Sequence, residues 1–538
     1  MTQRGVIAHF TPEIALDQCL HTYSGGLGVY SGGFLMSAKK LGIPMVGVSI
    51  LPRQGYCDQY FDAAQQKMGI RYIDRIYDDL MEDTGLVFAI DICSHPVWIR
   101  VWKLPEGTFN AVPVYFLDTD IEENDPLSRL NTLQLYGGSR DSGANADRKI
   151  AQSIILGKGG VEALRRLHIP VELYHLNESH SAFAALALLE YEYQNTSPSA
   201  DPMNAVRQRI VFTTHTPVSA GNPEYRLETV SKMFGNTILS SDRLRAIGGD
   251  PFNMAVVCLK LSRRANAVSH KHLTVAEKMW HWVDGCAPFI GITNGVSQDY
   301  WQSSDLKNAN SVSELSAVKR HYKRELIELV QKETGKCLSE HLCTIVWARR
   351  FAEYKRPKLL LSDLDWLTTN LKSNNFQVIF AGRPHPDDYE MIDAWNYIFT
   401  LSKELPNLVI LPGYELQLSL DLKRGADVWL NTPRAPNEAC GTSGMSAAMN
   451  GAINLSTPDG WMAEANPENC FLFGSPFCTP SQDALDLQKL KERIDKIVPM
   501  FNLEKDAWYQ KVLATKLEAG IRWTSDRMVK EYSALLYA

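Results

Sequence analysis

Cys343-Thr-Ile-Val-Trp-Ala-Arg-Arg-Phe-Ala-Glu-Tyr-Lys-Arg356 passes from an apolar, β-branched run straight into a segment with four cations in eight residues. The run reads as a buried strand, and the cations fall at its C-terminal end, where open α/β sheets hold ligands. Arg forks and a Lys point charge at that position can grip a phosphate or diphosphate and stabilise it as a leaving group. The alternative is a solvated helix face. Similar runs recur on both sides: VIAHF at 6–10, MVGVSI at 45–50, VELYHL at 171–176, RIVFTTH at 209–215, QVIFAG at 377–382, LVILPG at 408–413 and DVWLN at 427–431. Helix-length amphipathic segments separate them, beginning with one over 32–41. Strands alternating with helices imply the α/β class, built from parallel βαβ units.

A chain of 538 residues is too long for one hydrophobic core. The alternation breaks around Ile292-Thr-Asn-Gly-Val-Ser-Gln-Asp-Tyr-Trp301 and restarts at Thr344 after a polar, helix-rich stretch, Ser303–Thr334. Two lobes are therefore expected, 1–298 and 299–520, with a C-terminal helix at 521–538 packing back on the first. Hydrophobic residues make up 45% and charged residues 22%, so the whole chain should fold. A net charge of −6 supplies no global field for nucleic acid, which is not expected as a partner. Ten cysteines without a C-x-x-C pair argue against structural zinc and disulfides and suit a reducing cytoplasm. The N-terminal MTQRGVIAHFTPEIAL has no signal-type apolar core, and no run of 18 apolar residues occurs, so no membrane span is expected.

Three further motifs follow strands. Ser24-Gly-Gly-Leu-Gly28 precedes a helix expected to begin near Ser31, and its backbone amides could approach an anion; a tight strand–helix turn is the alternative. Tyr174-His-Leu-Asn-Glu-Ser-His180 and Phe212-Thr-Thr-His-Thr-Pro217 place histidines, with an Asn and a Glu, where they could bond sugar hydroxyls or serve as structural histidines. Pro436-Asn-Glu-Ala-Cys-Gly-Thr-Ser-Gly-Met-Ser446 leads into good helix formers. It reads as an anion-binding helix N-terminus with Glu438 at its mouth, or as a plain capped helix.

Taken in order, these motifs resemble the α-glucan (glycogen, starch, maltodextrin) phosphorylase family, especially its shorter bacterial and archaeal branch. The same holds for Leu51–Tyr56, Leu135–Gly138, Thr213–Gly221, Leu261–Arg264, Ile292–Val296, Phe380–Arg383 and Asp427–Glu464. The resemblance implies a GT-B type fold of two Rossmann-like lobes with the active site in the cleft between them, and glucosyl transfer with retention. It implies that Gly25 and Gly26 contact substrate phosphate and that Arg350 and Lys355 hold it. His215 would bind the sugar and offer its carbonyl to the developing cation, Asn294 and Glu438 would bind other hydroxyls, and Glu178 and His180 would line the acceptor side. The family's pyridoxal phosphate forms a Schiff base with a lysine after Gly-Met; here the run is Gly441-Thr-Ser-Gly-Met-Ser446, and serine cannot form an imine. The cofactor-phosphate pocket of Arg349, Thr442, Ser443 and Gly444 remains. No covalent pyridoxal phosphate is expected, because no amine occupies position 446. Control by phosphorylation is not expected either.

Three functions follow. The first is a hexosyl transferase that takes a nucleotide sugar, whose two phosphates fill the substrate and cofactor phosphate positions, and passes the sugar to a hydroxyl acceptor. The second is a phosphorylase with non-covalent cofactor, or one whose anchoring lysine has been exchanged for Ser446. The third is a silent glucan-binding protein, which the intact Arg350, Lys355, Glu438 and His215 argue against. The partners expected are small-molecule sugar donors and acceptors; a homodimer is left open.

Overall fold

The computed structural model describes residues 5–136, 143–195, 201–218, 221–477 and 479–538. Parts of two motifs, residues 137–138 of Leu135–Gly138 and 219–220 of Thr213–Gly221, lie outside them. The chain divides into two compact units. One comprises Met1–Cys57, Tyr72–Thr293 and Met528–Ala538; the other comprises Asp58–Arg71 and Asn294–Arg527. The division thus falls at 293/294 rather than 298, the hairpin Asp58–Asp62 with Lys67–Arg71 goes with the second unit, and only the last eleven residues of the tail rejoin the first.

The first unit is built on a nine-stranded sheet in the order Phe289–Gly291, Arg264–Ala267, Ile210–Thr214, Val171–Asn177, Val6–Phe10, Met45–Ile50, Val114–Asp118, His95–Leu104, Glu82–Ile92. The first seven run parallel, as βαβ alternation requires. The last two add an antiparallel edge that the strand inventory above does not contain. Ile92 pairs with His95 across a two-residue loop in which Cys93 (φ 54°) and Ser94 (φ 58°) are both left-handed. Such a hairpin turn usually announces itself as Asn-Gly, and Cys-Ser gives no such signal. The first helix spans Gly26–Lys40, five residues ahead of the expected start at Ser31. It lies so close to the loop after the first strand that a Cβ on Gly32 would sit 1.8 Å from the Ala15 carbonyl oxygen, so only glycine permits the contact.

The second unit carries six parallel strands in the order Leu408–Leu411, Phe376–Ala381, Cys343–Ala348, Val428–Asn431, Ile453–Ser456, Phe471–Leu472. The helix Val312–Thr334 opens with a Ser311/Glu314 capping box and closes on left-handed Gly335. Trp347, Trp395 and Trp508 are fully buried in its core. Both units are therefore α/β with large parallel sheets, the Rossmann-like, GT-B type architecture expected. Among the described residues no helix is long and apolar enough to cross a membrane.

The core of the first unit contains histidines without carboxylate partners. His9 and His175 are completely buried on neighbouring strands, their Nδ1 atoms 3.1 Å apart, with His9 stacked on Phe34 and the Tyr537 hydroxyl 2.8 Å from His175 Nδ1. Burial pulls His9 and His215 down to about 3 and His180 and His272 to about 4, and takes His175 well below the usual histidine range. Unfolded histidines titrate near ~6.5, so below that pH the unfolded chain binds more protons than the folded one. Stability should rise with pH up to about 6.5 and level off above it, each such histidine contributing a slope of about 1.4 kcal/mol per pH unit below that point. Denaturant titrations between pH 5 and 7.5 should show this, and His9→Phe should remove about one proton's worth of slope; a flat profile in the wild type would contradict it.

Candidate functional site

In the second unit Ile345 pairs with Val428 and Val346 with Trp429, so the strands Cys343–Ala348 and Val428–Asn431 are parallel neighbours. The loops that follow them leave the sheet along one edge. This brings Lys355 and Glu438, 83 positions apart, into a hydrogen bond of 2.7 Å between Nζ and Oε2, with Arg349 Nη1 3.7 Å from the same oxygen. Glu438 is 9% exposed and Arg349 5%, so both charges are held away from water. Burial alone would push the Glu438 carboxyl up, but Lys355, then Arg349 and Arg350, hold it below the usual carboxylate range. Burial pulls the Arg349 guanidinium down, with Glu438 opposing. The Glu438 amide donates to Asp459 Oδ2 at 2.8 Å, which fixes the loop. Lys355, Arg349 and Arg350 thus all act on one carboxylate, a cluster of cations at a strand end of the kind that suits an anion.

The fourth cation of the quoted run does something else. Arg356 is buried and donates to the carbonyls of Thr432 and Pro433, to Asp483 and to Asp486, whose carboxylate is inaccessible. It ties the loop after one strand to the loop after the other and is not part of the anion site. The charge run therefore divides into three cations for the site and one for the scaffold.

The helix Thr442–Met449 starts behind Gly441, whose φ of 88° lies in the left-handed region. Thr442 and Ser443 are half-buried in its first turn. Gly444 serves close packing: a Cβ there would come within 2.5 Å of Asn454 Oδ1. Ser446 is buried, and its hydroxyl lies 3.1 Å from the Ser443 carbonyl and 3.4 Å from that of Thr442, so it is occupied by its own helix. Asn294 joins this loop system. Its carbonyl accepts from Arg527 at 2.9 Å, its backbone amide contacts the Cys440 thiol, and its buried Oδ1 has no partner among the described residues.

In the first unit the Gly25 amide donates to Glu13 Oε2 at 3.0 Å and the Ser24 amide to the same oxygen at 2.5 Å, while Glu13 Oε1 accepts from Ser24 Oγ and Tyr136 Oη, both at 3.0 Å. A carboxylate of the chain itself thus occupies the Gly25 amide, and Gly26 is exposed at the first turn. His215 donates from Nε2 to Asn177 Oδ1 at 2.8 Å, since the Asn177 amide nitrogen is already given to Thr11 and Ser31. The ring is neutral, which leaves Nδ1 as an acceptor for a hydroxyl. Glu178, with φ 70°, accepts from the amides of His215 and Ser179 and from Thr216 Oγ1. It is 5% exposed and braces the His215 loop. His180 packs 5.3 Å from the Tyr136 ring, and its buried Nδ1 has no partner among the described residues.

Glu13 and Asp459, each bracing a loop of its own unit, were not among the candidates from the sequence, whereas Asn177, expected from its motif to bond a sugar hydroxyl, gives its Oδ1 to His215. Glu13 gives no local signal, since it shares the stretch ahead of the glycine-rich loop with Asp17. Asp459 gives no local signal, because its partner is a backbone amide 21 positions away.

The family model described as Phosphorylase: Carbohydrate phosphorylase matches residues 302–482, the stretch that holds Arg349, Lys355, Glu438 and Ser446. The chain is 39% identical to an uncharacterised protein of Methanocaldococcus jannaschii over 98% of this chain and 99% of the relative. It is 31% identical to the maltodextrin phosphorylase of Thermococcus litoralis over 99% of this chain and 70% of the relative. It is 28% identical to the glycogen phosphorylase of Aquifex aeolicus over 100% of this chain and 87% of the relative.

The division of the cations is testable by chemical denaturation. Arg356→Ala strands the buried Asp486 carboxylate and should cost about 3 kcal/mol or more, whereas Lys355→Ala leaves Glu438 with Arg349 and should cost clearly less. Equal losses would place both cations in the scaffold.

Proposed function

The chain belongs to the carbohydrate phosphorylase family, and from that premise we propose that it moves a glucosyl group between the end of an α-glucan and inorganic phosphate, with retention. The observation that carries this reading is the buried Glu438 carboxylate held by Lys355 at 2.7 Å, with Arg349 3.7 Å from the same oxygen. An entering phosphate oxygen would take Lys355 and Arg350 as partners. As the bond from the sugar carbon to phosphate breaks or forms, the charge that develops on that oxygen would be met by donors already in position. The Glu438 carboxylate, kept ionised by the same cations, would accept a sugar hydroxyl. His215 would act as a neutral acceptor through Nδ1, its geometry set by Asn177 and Glu178. Relatives named as maltodextrin and glycogen phosphorylases support phosphate as the partner of the sugar.

Pyridoxal phosphate fits this unit in part. The buried Arg349, whose Nε has no partner among the described residues, and the first turn at Thr442 and Ser443 suit a phosphate ester. When bound, it would supply a second phosphate beside the substrate's. An imine at position 446 does not fit, because the Ser446 hydroxyl is no amine and is turned to its own helix. That same serine favours a second reading, in which a nucleotide sugar brings both phosphates itself and the family's cofactor is dispensed with.

One panel separates the readings: maltodextrin with orthophosphate, with and without added pyridoxal phosphate, beside uridine, adenosine and guanosine diphosphate glucose with a glucan acceptor. Glucose 1-phosphate formation is the expected outcome; transfer from a nucleotide sugar alone would replace the first reading with the second. In either assay Arg350→Ala and Lys355→Ala should each lower turnover by about a hundredfold or more. Near-normal rates with intact folding would mean that the leaving group lies elsewhere.

A further inference from the structure

Four lysines of the second unit are almost fully buried: Lys319, Lys323, Lys423 and Lys516. Three are satisfied. Lys319 donates to the carbonyls of Arg424, Ala426 and Asn450, Lys323 to the Asp427 carboxylate and the Leu342 carbonyl, and Lys516 to the carbonyls of Leu306 and Ala309. Lys423 differs. It is 2% exposed, and among the described residues its Nζ has neither a carboxylate nor a hydrogen-bond acceptor; its recorded contact is the Trp301 ring, 3.5 Å from Nζ to the centroid.

The position is unusual for a lysine. Lys423 lies seven residues after Leu416 in the helix Leu416–Gly425, on the buried stripe that also holds Ser419 and Leu422, where helical spacing calls for an apolar side chain. Both that helix and the short helix bearing Trp301 pack on the helix of Ser446. Asn450 Nδ2 donates to the Trp301 carbonyl at 2.6 Å and to the Ser446 carbonyl at 2.8 Å, which joins the Trp301 backbone directly to the turn of Ser446. An amine without a hydrogen-bond partner among the described residues therefore lies against the tryptophan tied to position 446, where the family carries its lysine.

We propose that Lys423 is an imine-forming amine that takes an aromatic aldehyde phosphate of the pyridoxal type, on the helix next to the one that has lost its lysine. In the step, the Nζ lone pair adds to the aldehyde carbon, a C=N bond replaces C=O, and both amine hydrogens leave with the carbonyl oxygen as water. No oxidant or reductant is needed. The neutral amine that this requires is the form burial favours, since burial alone takes Lys423 well below the usual lysine range, with no carboxylate opposing. An adduct at this amine would overturn the expectation, drawn from the serine at position 446, that the protein carries no pyridoxal Schiff base. The inference rests on the phosphorylase reading for its choice of aldehyde, and its test does not depend on turnover.

The full-length protein is incubated with pyridoxal 5′-phosphate, reduced with borohydride and mapped by peptide mass, with the imine absorbance band followed before reduction. A surface lysine at pKa ~10.4 is less than about 1% neutral at pH 8. Lys423 should therefore be labelled in preference to surface lysines, to one adduct per chain. Lys423→Met should lose the adduct and the band while unfolding at the same temperature or higher, because a buried unpartnered amine has been replaced by an apolar chain. Ser446→Lys supplies a second arm. If it gains an adduct at the new lysine while the wild type gains none at Lys423, the aldehyde site exists but Lys423 does not serve it, and the proposal falls. It falls equally if labelling spreads over surface lysines at one rate in wild type and Lys423→Met. Glucan phosphorolysis is measured separately, so its failure would count against the functional reading and not against the assignment of the amine.

Discussion

Parallel pairing of Cys343–Ala348 with Val428–Asn431 is the constraint on which the second unit's chemistry depends. Two strands that run the same way and hydrogen-bond side by side must release their following loops at one edge. Lys355 and Arg349 come from one loop and Glu438 from the other, and neither local sequence could assemble the cluster alone. The carboxylate then needs the cations and the cations need the carboxylate, because neither charge is stable at such burial without the other. Arg356 reinforces the same junction from behind by joining the second loop to the helix Gln482–Leu503 through Asp483 and Asp486.

A second theme is how this unit treats buried amines. Lys319, Lys323 and Lys516 are held by carbonyls or a carboxylate, an arrangement that offsets the desolvation of an ammonium group with directed hydrogen bonds. Lys319 is still drawn down to about 7 by burial, which shows how far the environment favours the neutral form even with acceptors present. Among the described residues Lys423 has only the Trp301 ring. An amine held in this way is unstable as a cation and nucleophilic as a base, which is why it stands out as a group with chemistry to do.

In the first unit the glycine-rich loop, the Asn177–Glu178–Ser179 turn and the His215 loop are set by hydrogen bonds among side chains far apart in sequence. Glu13 reaches Ser24 and Gly25, while Asn177 links Thr11, Ser31 and His215. The C-terminal residues complete this core: the Tyr532 hydroxyl accepts from Asn266 Nδ2 at 2.6 Å, and the Tyr30 hydroxyl lies 3.0 Å away. The last residues of the chain thus belong to the same compact unit as the first strand.

The sequence by itself determined the α/β class, the parallel strands and the polar motifs at their ends, because apolar runs of strand length separated by helical segments are local signals. It also determined that position 446 holds no amine. Only the tertiary structure separated Arg356 from the other three cations, turned Glu178 into the brace of His215, gave the Gly25 amide to Glu13 and showed Lys423 as an amine with no hydrogen-bond partner among the described residues. The antiparallel edge was missed because its turn uses Cys93 and Ser94 in place of the residues that normally mark one. The physical reason is common to all of these. A residue's type and local spacing state what it can bond, while burial and the partner across the fold decide what it does bond, and those partners lie tens to hundreds of positions away.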